Sequence, residues 1–357
     1  MNTRVSKRYA QTLFSAFALS VLSITASAQE GHAQDKLYVL SSIKPVHSLV
    51  AMVTGDLANS EIIVKGAASP HTYALAPAQA RDIQRADAIF WVGEDLEAFL
   101  EKPLATIGAR ATLIKLMETP GLQKMKFREG GAFEKHDGHD DDDHDDDHDD
   151  DHGHDDDHDK HDDHDEDHDD DHDEGHDDDH GNHDDHDGFD PHIWLSPDNA
   201  KRILAYIASA LGDLDPDNKA AYIANARAAM QDIDQLTDAI TDNLSPIKNG
   251  GFLLFHDSFQ YFEHAFGLAA SGAISIHPEV APGARRIAEI RRLLRKRNVR
   301  CVFTEPQFDA KMVDVILQGT GKRAVEIDPL GAALPQGDTL YFELMQAMST
   351  SFRKCLG

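Results

Sequence analysis

Short segments that are apolar throughout alternate with helical patterns along most of this chain. DAIFWVG (87–93) and GFLLFHDS (251–258) each contain such a run, AIFWV and FLLF, and each borders a stretch whose apolar residues recur at helical spacing. A strand that is apolar on both sides needs cover on both faces, which is typical of a parallel sheet between two layers of helices. The pattern therefore predicts the α/β class.

The same pattern predicts two lobes of about four strands each. The predicted strands fall at 36–45, 61–66, 87–93 and 112–116 in the first half, and at 251–258, 268–275, 299–307 and 323–331 in the second. After a start at Asp215, a run of roughly 27 residues without glycine or proline predicts one helix about 40 Å long. We therefore predict an N-terminal lobe at 35–214, a linker helix at 215–245 and a C-terminal lobe at 250–357.

One segment cannot contribute to such a core. The run from His136 to Asp187 is 52 residues long and holds 15 of the 22 histidines, 31 of the 64 acidic residues and one of the 34 basic residues. Its formal charge of −30 equals that of the whole chain, so the other 305 residues are neutral overall. We predict this acidic run, an insert in the N-terminal lobe, to be disordered. No basic excess remains that would indicate nucleic-acid binding.

The composition of this run predicts metal binding. Neutral imidazoles among carboxylates at high density can hold Zn²⁺, Ni²⁺ or Cu²⁺ at many weak, rapidly exchanging sites. As a coil the run would span roughly 40 Å, enough to reach a nearby cleft. An acidic solubilising spacer is the alternative, but a spacer would not require histidine. The histidines that we predict to bind metal in the run are His144, His148, His152, His154, His158, His161, His164, His168 and His172.

The N-terminus has the features of a secretory signal peptide. Three basic residues, beginning at Arg4, precede a short apolar run, and Ala26-Ser27-Ala28 supplies the small residues of a cleavage site. We predict that residues 1–28 are removed after export to the periplasm. An uncleaved membrane anchor is the alternative.

The chain contains two cysteines, Cys301 and Cys355. In an exported protein such a pair is expected to form a disulfide. The disulfide would close a loop of about 55 residues, for which the chain-entropy model gives at most about 4 kcal/mol of stabilisation. Two buried free thiols are the alternative.

Polar residues that follow predicted strands are candidates for a binding site, because ligands collect at the carboxyl ends of parallel strands. His71, His192 and His256 occupy loop or strand-end positions, and Asp328 follows the apolar part of the last predicted strand segment, at 323–331. Three neutral imidazoles with one carboxylate match the preference of four-coordinate Zn²⁺. Spacing alone is weak support, since a histidine after a strand is more often a hydrogen-bonded loop residue.

Other residues near these positions have predicted supporting roles. Glu305 also follows a strand and could accept a hydrogen bond from a ligand imidazole. We predict His264 to lie at the surface or beside a ligand, and His47 and His277 to lie in loops near the cleft mouth. A zinc hydrolase is disfavoured, because the sequence contains no HExxH or comparable helical pair.

Several motifs together resemble one known family. They are SSIKPVHSLVAMVTGD, ASPHTYALAPAQARDIQRADAIFWVGEDLE, DPHIWLSPDNA, LLFHDSFQYFEHAFGL, CVFTEPQF and EIDPLG, with the Asp/His run and the terminal cysteine. In this order they are similar to the ZnuA family, the periplasmic zinc-binding solute-binding proteins of high-affinity ABC transporters (cluster A-I, or cluster 9). The resemblance covers essentially the whole mature chain.

This resemblance implies two (β/α)4 lobes joined by a single long rigid helix, with the metal site in the interlobe cleft and the two cysteines paired. The zinc ligands that it implies are His71, His192 and His256, with Asp328 or a water molecule as the fourth. Related manganese-binding proteins have a glutamate where this chain has His256. Some zinc-binding members have an acidic residue where this chain has Pro70, so the absence of that carboxylate favours Asp328.

The implied function is capture of Zn²⁺ and its delivery to a membrane permease with a cytoplasmic ATPase. Zn²⁺ is then the transported ligand, and we expect a monomer with no organic cofactor and no enzymatic activity. The Asp/His run would collect zinc or sense its abundance. The alternatives are a periplasmic zinc storage or buffering protein, or uptake of Ni²⁺ or Mn²⁺. Because one helix resists wide hinge motion, we expect only small, local opening on metal release.

Overall fold

The structure is a computed structural model that describes residues 36–128, 188–275, 282–296, 299–309 and 311–357. The predictions made for residues 1–28, for the run at 136–187 and for His277 lie outside these residues. Among the described residues, no helix combines the length and the apolar character needed to span a bilayer.

The first half of the chain forms a four-stranded parallel sheet with the strand order β2-β1-β3-β4. Its strands are β1 (Tyr38–Ser41), β2 (Asn59–Ile62), β3 (Ala88–Trp91) and β4 (Thr112–Lys115). The helices in this half are α1 (Lys44–Thr54), α2 (Pro77–Arg85) and α3 (Glu94–Thr106). Every residue of β3 is buried, as expected for a central strand covered on both faces.

The second half forms another four-stranded parallel sheet with the equivalent order, β6-β5-β7-β8. Its strands are β5 (Gly251–His256), β6 (Ala273–Ser275), β7 (Val299–Thr304) and β8 (Arg323–Glu326). Its helices are α6 (Gln260–Phe266), α7 (Ala284–Lys296), α8 (Lys311–Leu317) and α9 (Leu340–Leu356). In both sheets the strand order reverses beside the first strand, where a crevice opens at the carboxyl ends.

Two helices, α4 (Pro197–Leu214) and α5 (Lys219–Leu244), come between the sheets in sequence. The start of α4 follows its sequence signals, since the Ser196 side chain accepts a hydrogen bond from the backbone N–H of Asn199 and a proline occupies the first turn. Helix α5 has 26 residues and packs against α4, α1 and α9. It therefore contacts helices from both halves of the protein.

One apolar core extends through both halves. Val39 in β1, Ile233 in α5 and Phe352 in α9 belong to the same cluster of buried side chains, and a smaller cluster lies between α7, α8 and β7. The described residues between Lys36 and Gly357 form one compact unit. The predicted α/β class with two four-stranded parallel sheets is confirmed. The lobe boundaries stay a prediction.

The two cysteines form a disulfide that joins the second sheet to the last helix. Cys301 lies in β7 and Cys355 in α9, with 5.6 Å between their Cα atoms. Both residues are fully buried. The alternative of two free thiols is therefore wrong.

The prediction of a loop at His47 is also wrong. This residue lies inside α1 and is buried. The strand predicted at 36–45 ends at Ser41, and α1 begins at Lys44. Pro45 lies in the first turn of this helix, where its missing N–H leaves no hydrogen bond unmade.

Candidate metal centre

The three histidines predicted as ligands come together from separate elements. His71 lies in a 3₁₀ turn after β2, His192 directly precedes the short turn before α4, and His256 is the last residue of β5. One nitrogen from each imidazole lies within 4.8 Å of those from the other two, so these three residues, here called the histidine cluster, could hold one metal ion. Tetrahedral Zn²⁺ needs such nitrogens about 3.4 Å apart, so small side-chain movements would complete the geometry.

A carboxylate orients His192. Its Nδ1 lies 2.7 Å from Oδ1 of Asp190, and its backbone N–H donates to the same oxygen at 2.9 Å. Both side chains are buried. A carboxylate can only accept here, so Nδ1 carries the hydrogen and the lone pair of Nε2 is left for a metal.

A second carboxylate orients His256 in the same way. Its Nδ1 lies 2.9 Å from Oε1 of Glu305, which follows β7, the strand beside β5. Nε2 of His256 and Nε2 of His71 are buried and have no hydrogen-bond partner among the described residues. Buried polar atoms are usually paired, so these nitrogens are suited to receive a ligand.

The protonation of the histidine cluster follows from its surroundings. Burial lowers the pKa of His71 well below its ordinary value, and the neighbouring His192 and His256 lower it further. Burial alone would also lower the pKa of His256, but the carboxylates of Glu305, Asp257 and Asp190 together outweigh it and the pKa is raised. His71 is therefore neutral and ready to bind a cation, whereas a proton competes with metal at His256.

Apolar side chains line the cavity around the histidine cluster. They come from both halves of the protein: Leu96 and Trp194 from the first, and Phe308, Pro329 and Leu330 from the second. A lining of this kind limits solvent access and strengthens the electrostatic attraction between a cation and its ligands.

Asp328, the fourth predicted ligand, makes other contacts. Its carboxylate accepts hydrogen bonds from Nε2 of Gln307 at 2.9 Å and from the backbone N–H groups of Leu330 and Ala332 at 3.0 and 2.5 Å. It does not belong to the group of described side chains whose ligand atoms lie close enough to share one ion. The carboxylate instead shapes the loop whose residues line the cavity.

The remaining predictions differ in outcome. Glu305 occupies the predicted position beside a histidine, whereas the sequence reasoning missed Asp190, which the DPH spacing could have indicated. His264 lies in an exposed region, 3.2 Å from Nε2 of Gln123, and is not part of the cluster. The nine histidines predicted to bind metal in the Asp/His run lie outside the described residues.

The described residues on either side of the Asp/His run lead to this site. Lys126 and Phe189 form an isolated antiparallel bridge. Arg128, two residues further along, forms ion pairs with Asp257 and Glu263. Asp257 directly follows His256. Asp190, whose carboxylate contacts His192, is the residue after Phe189. The described residues that flank the run on either side therefore lie beside the cavity.

Two parallel α/β halves with histidines converging between them define a metal-binding member of the solute-binding class. A family model described as "ZnuA: Zinc-uptake complex component A periplasmic" matches residues 39–355. The chain belongs to this family.

Named relatives agree with that assignment, and solved structures show the same fold. The protein named "High-affinity zinc uptake system protein ZnuA" in Brucella abortus strain 2308 is 44% identical over 318 residues, which cover 89% of this chain and 91% of that protein. The protein of the same name in Yersinia pestis is 31% identical over 318 residues, with the same coverages. A crystal structure of ZnuA has a TM-score of 0.68 at 24% identity, covering 90% of this chain and 100% of that one. A Zn(II)-bound AdcAII variant of Streptococcus pneumoniae gives 0.67 at 20% identity, covering 90% and 99%. The structural similarity supports the fold.

Proposed function

We propose that this chain captures Zn²⁺ at the histidine cluster and delivers it to the permease of an ABC importer. The observation that carries the proposal is the convergence of three imidazoles from both halves, two of them oriented by carboxylates. Nitrogen-rich sites suit Zn²⁺ better than the harder Mn²⁺. The relatives are named as zinc uptake proteins, which agrees with this choice of ion.

His71, His192 and His256 act as the protein ligands in this proposal. We assign the fourth position to a water molecule, because Asp328 is not among the described side chains whose ligand atoms lie close enough to share one ion with the histidines. Glu305 fixes the tautomer of His256 without contacting the ion. No bond is made or broken in the transported ligand, so the protein needs neither an enzymatic activity nor an organic cofactor.

Release of zinc requires the two halves to separate slightly. The histidine cluster draws on both halves, so a small displacement of one would break the ligand set. A wide opening would expose the apolar core that runs through α5, which disfavours large motion. This supports local opening at the cavity. In this proposal the two lobes comprise residues 35–214 and 250–357, and the linker helix comprises residues 215–245.

The Asp/His run acts as an auxiliary collector of zinc. Its flanking residues are anchored beside the cavity, so metal held at many weak sites would be concentrated near the tight one. The basic and apolar pattern of residues 1–28 supports export through a cleaved signal peptide. The mature protein then acts in the periplasm as a monomer, with the permease and its ATPase as partners.

Calorimetric titration with Zn²⁺ tests this function. The mature protein, a deletion of 136–187, and His71→Ala would be titrated at neutral pH, with the exposed His264→Ala as the matched control. We expect the deletion and His264→Ala to keep one tight site, and His71→Ala to lose it.

Loss of the tight site on deletion of the run would contradict the proposal and favour periplasmic storage or buffering. Titrations with Ni²⁺ and Mn²⁺ in competition with zinc test the choice of ion. A preference for either ion at the histidine cluster would identify a different uptake system.

A further inference from the structure

Lys44 joins the two halves of the protein at one side of the cavity. It lies in the first turn of α1, and the residue is 9% exposed. Its Nζ donates hydrogen bonds to the carbonyl oxygens of Gly331, Ala332 and Leu334 at 2.9, 2.8 and 2.7 Å. These carbonyls belong to the segment between β8 and α9, here called the 328–334 loop.

Local physical rules disfavour a lysine at this position. The N-terminus of a helix carries a partial positive charge, so a cation in the first turn is destabilising. Burial lowers the pKa of Lys44, and the Asp328 carboxylate opposes this effect. The three carbonyls occupy all three donors of the ammonium group. The groups that stabilise the buried ammonium charge therefore belong to the other half of the protein.

The 328–334 loop is also a wall of the metal centre. Pro329 and Leu330 line the cavity around the histidine cluster. Within the loop, the Asp328 carboxylate accepts hydrogen bonds from the backbone N–H groups of Leu330 and Ala332. The indole N–H of Trp194 donates to the carbonyl of Pro329 at 2.9 Å. Displacement of this loop would therefore open the cavity without changing any histidine.

A second contact on the same face of α1 reinforces the first. Ser48 lies four residues after Lys44, which places both side chains on one face of the helix. Its Oγ donates to the carbonyl of Asp338 at 3.2 Å and accepts from the backbone N–H of Tyr341 at 3.0 Å. Both partners belong to the second half, so α1 is tied to that half at two successive turns.

We propose that Lys44 is a positioning residue for zinc retention, which holds the 328–334 loop over the histidine cluster. The hydrogen bonds from Lys44 break when the cavity opens, so they oppose the dissociation of bound zinc. The ligand set determines which ion binds, whereas Lys44 determines how slowly it leaves. This inference rests on the proposed zinc-binding function and adds a residue outside the ligand set to it.

Stopped-flow release of Zn²⁺ into excess chelator tests the inference with the full mature protein. Lys44→Met keeps the length of the side chain and removes the charge. We expect release about tenfold faster or more, and association changed by less than about twofold, because the variant loses charged hydrogen bonds made in the closed state. Ser48→Ala should release zinc about threefold faster. Lys65→Met, at an exposed ion pair, is the matched control and should release at the wild-type rate.

The visible spectrum of the Co²⁺-loaded proteins separates positioning from ligation. We expect Lys44→Met and wild type to give the same spectrum, since the histidines are unchanged. A wild-type release rate in Lys44→Met would overturn the inference, as would an altered spectrum. If Lys44→Met does not fold, Ser48→Ala decides, and an unchanged rate there refutes the inference. Absence of a tight zinc site in wild type would instead refute the proposed function.

Discussion

Glu305 Oε1 lies 2.9 Å from Nδ1 of His256, and the two residues stand at the carboxyl ends of the neighbouring strands β7 and β5. Strand pairing therefore sets the distance between a predicted ligand and the carboxylate that fixes its tautomer. Because rigid elements hold both residues, the imidazole keeps its orientation before metal arrives. Such preorganisation reduces the entropy lost on binding.

Neutralising that carboxylate should weaken zinc binding. We expect Glu305→Gln to reduce zinc affinity by about 10- to 100-fold. The neutral amide lacks the negative charge with which the carboxylate favours the tautomer of His256 that carries hydrogen on Nδ1. Competition with a chelator of known affinity measures the change. Glu326→Gln, at an exposed position on β8, is the matched control and should bind as wild type does. Equal affinities for both variants would show that Glu305 does not act through the histidine.

Glu97 should make stability depend on pH. Its carboxylate is fully buried and accepts hydrogen bonds from the backbone N–H groups of Val92 and Gly93. Burial raises its pKa from 4.5 to about 7. The folded state then binds the proton more tightly than the unfolded state, so this stabilisation is complete below pH 4.5 and is lost as the pH rises through about 7.

The test compares urea unfolding of the wild type and Glu97→Gln across this pH range. We expect the free energy of unfolding of the wild type, relative to the variant, to fall by about 3 kcal/mol between pH 4.5 and about 8. Glu101→Gln is the control, because Glu101 is an exposed residue of the same helix. A constant difference for Glu97→Gln would contradict the assigned pKa.

Removing Arg128 should destabilise the protein more than removing a surface cation. Its partners Asp257 and Glu263 are largely buried, with side chains 11% and 4% exposed. Burial raises the pKa of Asp257 to about 6 although Arg128 opposes the rise. Without the cation, two buried carboxylates lose their ion pair. We expect Arg128→Met to lower the free energy of unfolding by about 3 kcal/mol, measured by urea titration.

An exposed ion pair provides the comparison. Lys201 pairs with Asp198 and Asp234, whose side chains are 74% and 61% exposed. We expect Lys201→Met to cost less than about 1 kcal/mol. Equal costs for the two variants would show that burial does not strengthen the Arg128 pairs.

The disulfide should stabilise the second half of the protein. We expect Cys301→Ala combined with Cys355→Ala to lower the free energy of unfolding by about 2 to 4 kcal/mol, because the unfolded chain gains conformations and a buried contact is lost. Urea unfolding of the zinc-free protein measures this difference. A reductant should destabilise the wild type and leave the double variant unchanged. Any effect of reductant on the variant would indicate another cause.

Much of the fold could be predicted because its local signals agree. Continuous apolar strands indicated parallel sheets, and a long run without glycine or proline indicated α5. Strand β2 was less well predicted, at 61–66 instead of Asn59–Ile62. It lies at the edge of its sheet and three of its four residues are not buried, so its apolar pattern is weaker than that of β3.

The site was predictable where it depends on strand ends and family resemblance, and less so where it depends on loops. The histidines stand at positions that parallel topology brings together. The contacts of Asp328 depend on the path of its own loop and on Gln307, 21 residues earlier in the sequence. Lys44 meets its acceptors 287 to 290 residues away, a contact that no local pattern reveals.

The bridge between Lys126 and Phe189 brings the chain together on either side of the Asp/His run. The contacts within the sheets, the helices and the histidine cluster therefore do not depend on how many residues lie between Lys126 and Phe189. If the run is a coil, as its composition predicts, doubling its length costs only about 0.6 kcal/mol. Repeats of aspartate and histidine can thus be added or removed with little effect on folding. If the run collects zinc as proposed, the amount of metal collected can evolve separately from the affinity of the transport site.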